Sequence, residues 1–146
     1  MNEIKRDLQD ILSQKLGKGK VIILIGPRQV GKTTLLQKLL SEFTAEKSVQ
    51  YWNCDEADVR KILADESSAR MKSFVGNSKF IVIDEAQRVL NIGLKLKILH
   101  DNFPDVQIAV TGSSALDLSN TINEPLTGRK FEYNLFPFSA NELVHN

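Results

Sequence analysis

The chain has 146 residues, one domain's worth of sequence and enough to bury a single substantial core. Hydrophobic residues at 42% and charged residues at 25% make an ordinary globular composition. Nineteen basic residues against eighteen acidic ones leave a formal charge of +1, so net charge gives no support to a nucleic-acid or membrane-surface binder, although a local patch stays open. Cys54 is alone and cannot form an internal disulfide, and no Cys/His cluster has zinc spacing. The first seven residues are too charged for a signal peptide, and no apolar run reaches membrane-spanning length. A reduced, cytoplasmic protein with no membrane contact is the expectation.

Ile4, Leu8, Ile11, Leu12 and Leu16 recur at helical spacing, which predicts an amphipathic helix over 3–16, ended by the turn Gly17-Lys18-Gly19. Val21 to Ile25 is a continuous apolar, mostly β-branched run, the pattern of a central parallel strand buried on both faces. Leu35, Leu36, Leu39, Leu40 and Phe43 mark the next helix, and Val49 to Asn53 a short second strand. Residues 56–75 read as one helix through Val59, Ile62, Leu63 and Met71. Phe80 to Ile83 is a second apolar strand, Leu90 to Phe103 a helix ended by Pro104, Gln107 to Thr111 a fourth strand and Phe131 to Leu135 a fifth. Alternating strands and helices predict an α/β domain with a mostly parallel sheet of about five strands and helices on both faces.

Between the first strand and its helix lies Gly26-Pro27-Arg28-Gln29-Val30-Gly31-Lys32-Thr33, which matches the phosphate-binding GxxxxGK[ST] loop. Gly26 and Gly31 permit backbone angles and a close approach that a side chain would block. The loop amides, with the N-terminus of the following helix, are then free to cradle phosphate oxygens. Lys32 is expected to reach the β- and γ-phosphates and Thr33 to ligate Mg²⁺. Thr34 is expected to start the helix, and Arg28 either touches phosphate or faces solvent.

Asp84-Glu85 ends the second apolar strand, the Walker B pattern with an adjacent glutamate. Carboxylates there lie at the carboxyl edge of the sheet, where open α/β folds bind ligands. Asp84 is assigned to Mg²⁺ and Glu85 to the attacking water as general base. The pair belongs to the ATPase division that inserts an extra strand between the two motif strands. Asp84-Glu85-Ala86-Gln87 is not the DxxG of a GTPase, and no NKxD occurs. Thr111 and Ser113, at and just past the end of the fourth strand, are candidate sensors of the γ-phosphate; Ser113 or Ser114 as a helix N-cap is the plain alternative. Arg129 is a candidate charge-stabilising finger on a nucleotide of its own or a neighbouring subunit, or else a surface arginine paired with Glu132.

Other residues carry plainer expectations. Cys54 reads as small and semi-buried and Trp52 and Phe74 as packed. Asp55 and Glu56, just past the second strand, either approach the site or leave Asp55 as a helix cap. His100 and His145 have no ligand partner at useful spacing. Ser139-Ala140-Asn141-Glu142 has the form of a capping box about one turn before Asn146. The expected organisation is one core domain, with 1–19 an N-terminal helix and turn, 20–138 the core, and 139–146 the start of a continuation cut short.

The loop, together with Val82-Ile83-Asp84-Glu85-Ala86-Gln87, Thr111-Gly112-Ser113-Ser114, Leu126-Thr127-Gly128-Arg129 and Leu135-Phe136-Pro137-Phe138-Ser139, occurs in a specific order. From Leu16 to Glu142 the sequence resembles the ATPase domain of a bacterial and archaeal family within the AAA+ superfamily. The resemblance implies Mg·ATP binding and hydrolysis, and longer relatives that continue into a C-terminal domain sometimes likened to nuclease folds. The helical lid common in AAA+ proteins has no counterpart in this stretch. ATP and ADP are the expected ligands, with a homo-oligomer or a partner protein beyond them. Two rivals stay open: a small-molecule P-loop kinase, and a nucleotide-gated binding module with negligible turnover.

Overall fold

A computed structural model describes residues 7–27, 31–43, 48–65, 67–113 and 121–135. In chain order the elements are α1 (Asp7–Lys15), β1 (Val21–Ile25), α2 (Lys32–Phe43), β2 (Val49–Asn53), α3 (Ala57–Ala64), α4 (Ser68–Val75), β3 (Phe80–Asp84), a 3₁₀ turn (Ala86–Arg88), α5 (Ile92–Asn102), β4 (Gln107–Gly112) and β5 (Lys130–Asn134). The five strands form one sheet in the order β2-β3-β4-β1-β5, and every neighbouring pair is parallel.

Burial follows this order. β1 and β4 lie inside the sheet and are buried at every position, whereas the edge strands β2 and β5 are mostly half-exposed. Alternation along the strands divides the core in two. Val21, Ile23, Ile25, Ile81, Ile83, Ile108 and Val110 face Leu63 of α3, Met71 and Val75 of α4, and Ile92, Leu96 and Leu99 of α5. Ile22, Leu24, Val82 and Ala109 face Leu12 of α1 and Leu35, Leu36, Leu39 and Leu40 of α2. The result is helix, sheet, helix: the three-layer α/β arrangement expected from the alternating elements.

Gln107 ties the base of this stack together. Its Oε1 accepts from Gly17 N at 2.9 Å, while its Nε2 donates to Lys20 O at 2.9 Å and Ile108 O at 3.0 Å. The turn after α1 is thereby fixed to the start of β4.

Several expectations need correction. The helix expected over 56–75 is two helices, broken at Asp65. The Asp65 carboxylate accepts from Ser67 N at 2.8 Å and Arg70 Nη1 at 2.7 Å, so a side chain competes with the helical backbone. The Ser67 backbone bond, followed by Arg70, also holds that carboxyl below its ordinary pKa. α5 begins at Ile92 rather than Leu90, because Asn91 is left-handed at φ 57° and Leu90 is 84% exposed. Phe74 is exposed rather than packed, whereas Trp52 is buried. Cys54 is fully buried. Asp55 does not cap α3; Glu56 holds the cap position without a side-chain bond, and Asp55 pairs with Arg88 at 3.1 Å. The capping box at 139–142 and His145 lie outside the described residues.

Candidate nucleotide site

β1 delivers Gly26 and Pro27 to the carboxyl edge of the sheet, and α2 starts at Lys32 immediately after Gly31, whose φ of +90° only glycine adopts readily. Gly26 N donates to Gly112 O at 3.1 Å, which fixes the loop's entry against the end of β4. The Lys32 side chain is buried and folds back over the loop, donating to Gly26 O at 2.7 Å and Pro27 O at 3.0 Å. Its ammonium therefore sits against the carbonyls of the first two residues of the loop it is expected to serve. Arg28, Gln29 and Val30 lie outside the described residues. Thr34 is exposed on the first turn of α2 and takes no part in the cluster.

The start of α2 and the acidic end of β3 meet through a pair of oxygens. Thr33 Oγ1 donates to Asp84 Oδ2 at 3.2 Å. The other carboxylate oxygen, Oδ1, accepts from Thr111 Oγ1 and from Glu85 N, the latter at 3.1 Å. Thr111 Oγ1 also accepts from Glu85 N at 3.3 Å. Thr111 is fully buried, so its hydroxyl orients Asp84 from the neighbouring strand.

β4 reaches this site because it lies between β1 and β3, the inserted strand that the glutamate after Asp84 led us to expect. Ser113, one residue past β4, donates to Glu85 Oε2 at 3.0 Å. Gln87 Nε2 donates to the same carboxylate oxygen at 2.7 Å and to Ser113 Oγ at 2.9 Å. Gln87 was visible in the sequence as part of the Asp84–Gln87 motif but carried no assigned role. A spacing of two is the strand period, but β3 ends at Asp84; the contact follows from the left-handed backbone of Glu85, at φ 55°.

Cys54 packs beside the site, its N–H donating to Asp84 O at 2.9 Å. Burial, then the nearby Asp84, Asp55 and Glu85 carboxylates, push its thiol pKa from 9.0 up to about 12 against the opposing pull of Arg60.

Arg129 is not part of this constellation. Its carbonyl accepts from Val21 N at 2.8 Å, so it stands beside the first residue of β1, at the amino edge of the sheet. Five strand residues, about 16 Å, separate that level from the phosphate loop. Its guanidinium pairs with Asp101 at 3.0 Å at the end of α5, whereas Glu132 pairs with Lys130. Both the finger on its own subunit's nucleotide and the Glu132 pair are thus replaced by an edge ion pair.

A five-stranded parallel sheet in which an extra strand separates the phosphate-loop strand from the acidic strand defines a P-loop domain of the AAA type. Residues 18–144 match the family model described as an AAA domain, and the chain belongs to that family. Over 126 residues it is 34% identical to the uncharacterized protein Rv2008c of Mycobacterium tuberculosis, an alignment covering 86% of this chain and 27% of that protein. The uncharacterized protein Mb2031c of Mycobacterium bovis matches equally. The chain thus spans about a quarter of the length of these curated relatives.

Solved structures of similar fold include the Walker-type ATPase PABY2304 of Pyrococcus abyssi, at TM-score 0.66 and 18% identity, covering 98% of this chain and 56% of that one. Domain III of the Thermotoga maritima replication initiation protein DnaA matches at TM-score 0.66 and 15% identity, covering 92% and 62%. The Aeropyrum pernix ORC1 protein in complex with DNA matches at TM-score 0.64 and 16% identity, covering 94% and 46%. That neighbour is in complex with DNA, and net charge by itself leaves nucleic-acid contact open. Among the described residues, no helix is long and apolar enough to cross a membrane.

Proposed function

We propose that this chain binds Mg·ATP at the loop between β1 and α2 and hydrolyses it, and that its nucleotide state acts on the remainder of a longer protein or on a partner. The observation that carries the proposal is the Thr33–Asp84 contact at 3.2 Å, which joins the phosphate loop to the acidic strand end at the carboxyl edge of the sheet. The length of the relatives supports the coupling, since the matched stretch is only 27% of theirs.

The donor set suits magnesium. A threonine hydroxyl and one carboxylate are hard oxygen ligands, and Mg²⁺ uses few protein ligands alongside phosphates and water. Bound by Thr33 and Asp84, the ion would offset negative charge on the phosphates. The chain's own groups do the rest. Lys32 exchanges a loop carbonyl for a phosphate oxygen, and the loop amides with the start of α2 add partial positive charge. Glu85 takes a proton from water as the water oxygen bonds to the γ-phosphorus. The bond from that phosphorus to the β–γ bridging oxygen breaks, leaving ADP and inorganic phosphate. Ser113, hydrogen-bonded to Glu85, would serve as the sensor of a γ-phosphate oxygen and the attacking water.

Calorimetric titration with Mg·ATP and an acceptor-free phosphate-release assay test this. Lys32→Ala is expected to weaken binding at least about tenfold by removing a charged phosphate contact. Glu85→Gln is expected to bind normally and to lose about a hundredfold or more in turnover. Full turnover in Glu85→Gln overturns the base assignment, and ADP formed only with an added acceptor, with no free phosphate released, makes the chain a kinase. Binding without release in the wild-type chain points to a nucleotide-gated module.

A further inference from the structure

We infer that Gln87 is a positioning residue for Glu85: its amide holds one carboxylate oxygen of the general base so that the other stays turned toward the attacking water. The inference rests on the hydrolytic reading above and adds a residue to it.

The geometry starts with the backbone. Glu85 is left-handed, at φ 55° and ψ 45°, and is followed directly by the 3₁₀ turn Ala86–Arg88. A non-glycine residue held in this region is strained and persists where its surroundings over-determine it. Here they do. Glu85 N is bound to Asp84 Oδ1 and to Thr111 Oγ1, both in the site. The turn then brings the side chain of Gln87 back onto the carboxylate two residues earlier.

The hydrogen bonds fix which way the amide points. Gln87 Nε2 has two protons, and two acceptors claim them: Glu85 Oε2 at 2.7 Å and Ser113 Oγ at 2.9 Å. Ser113 uses its own proton on Glu85 Oε2 at 3.0 Å. Turning the amide over would set its carbonyl oxygen 2.7 Å from a carboxylate oxygen, a contact between two acceptors. Glu85, Gln87 and Ser113 therefore close a three-membered ring in which Gln87 donates twice, Ser113 accepts once and donates once, and Glu85 accepts twice.

That ring leaves an imbalance. Gln87 Oε1 is buried and has no donor among the described residues. A buried carbonyl without a partner is destabilising, and native proteins seldom leave one. The amide thus serves Glu85 while its own acceptor goes unsatisfied. Both donors converge on Oε2, and Oε1 of Glu85 takes no hydrogen bond from any described residue. One oxygen is anchored and the other is free for water, the division of labour expected of an oriented base. Because Ser113 stands just past β4, the ring also links the base to the strand beside the phosphate loop.

The test uses Gln87→Met, which keeps the length and volume of the side chain but has no N–H. Expected is a fall in kcat of about tenfold or more, with KM and calorimetric affinity for Mg·ATP within about twofold of wild type. Gln87→Glu, equal in size but negatively charged beside Glu85, is expected to fall further. In a double-mutant cycle, Gln87→Met combined with Ser113→Ala is expected to lose less than the product of the two single losses, since each breaks the same ring. Melting temperatures close to wild type separate the effect from misfolding. Turnover in Gln87→Met within twofold of wild type, or a loss carried wholly by KM, overturns the inference. The Glu85→Gln control separates the two levels: an inactive Glu85→Gln beside a fully active Gln87→Met rejects only the role of Gln87. Full activity in both rejects the base assignment, and with it the inference.

Discussion

Cys54 sits at the end of β2 with its thiol sealed from solvent and three carboxylates near it, and its pKa is pushed up to about 12. A thiol that stays protonated is neither a nucleophile nor a metal ligand at neutral pH. At pH 8, an aromatic disulfide reagent should leave the folded chain essentially unlabelled over minutes and label it promptly in denaturant. Rapid labelling of the folded protein would contradict the burial. The same shift predicts a pH dependence. Above pH 9 the unfolded thiol ionises while the folded one keeps its proton until about pH 12. The unfolded state then binds fewer protons, so stability falls as pH rises through this window, with a contribution approaching about 1.4 kcal/mol per pH unit. Denaturant melts at pH 8 and pH 10 should show a smaller loss for Cys54→Ala than for wild type. Equal losses would remove Cys54 as the source.

The elements show why some of this architecture was legible in the sequence and some was not. β1 and β3 are continuous apolar runs because both faces of an interior strand are covered, and their ends locate the loop and the two carboxylates. The amino-edge position of Arg129 was also legible in principle, because a residue directly before a parallel strand lies opposite the ligand edge. The break between α3 and α4 depends on one local side-chain bond at Asp65, which hydrophobic spacing does not report. Gln87 depends on the left-handed turn at Glu85, which a non-glycine residue does not announce. Gly93 is the least legible, since its reason lies 28 positions away along the chain. A Cβ built on Gly93 in α5 would stand 2.0 Å from the Thr121 carbonyl oxygen and 2.8 Å from its carbon, both backbone atoms. Gly93→Ala must therefore push the 121–122 segment off α5, despite alanine's better helix propensity. We expect a loss of about 1–3 kcal/mol, an overpacking cost. The neighbouring Leu94→Ala, at a 44% exposed position, should stay within about 1 kcal/mol of wild type in the same thermal or denaturant melts. A neutral or stabilising Gly93→Ala would mean that this packing contact does not form.

At the scale of the whole molecule, the phosphate loop joins the buried strand β1 to α2, while the acidic end of β3 lies across β4 from it. A ligand held by Lys32, Thr33 and Asp84 would therefore connect the start of α2 to the end of β3, parts of the fold that unfold together in a cooperative domain. Such a ligand binds the native chain and not the unfolded one, and so raises stability by mass action, about 2.7 kcal/mol at one hundred times Kd. For a domain of this size that is about 8 °C in melting temperature. The decisive comparison is ATP with magnesium against ATP with a chelator. If the Thr33 hydroxyl and Asp84 carboxylate hold the ion, chelation should remove a large part of the shift in wild type. In Asp84→Asn, which loses the carboxylate charge but keeps an oxygen near Thr33, the shift should be small and nearly the same with or without magnesium. Lys32→Ala should shrink the shift under both conditions, because its ammonium meets phosphate whether or not the ion is present. A wild-type shift that ignores magnesium would leave the phosphate loop as a nucleotide site but detach the acidic strand end from metal binding.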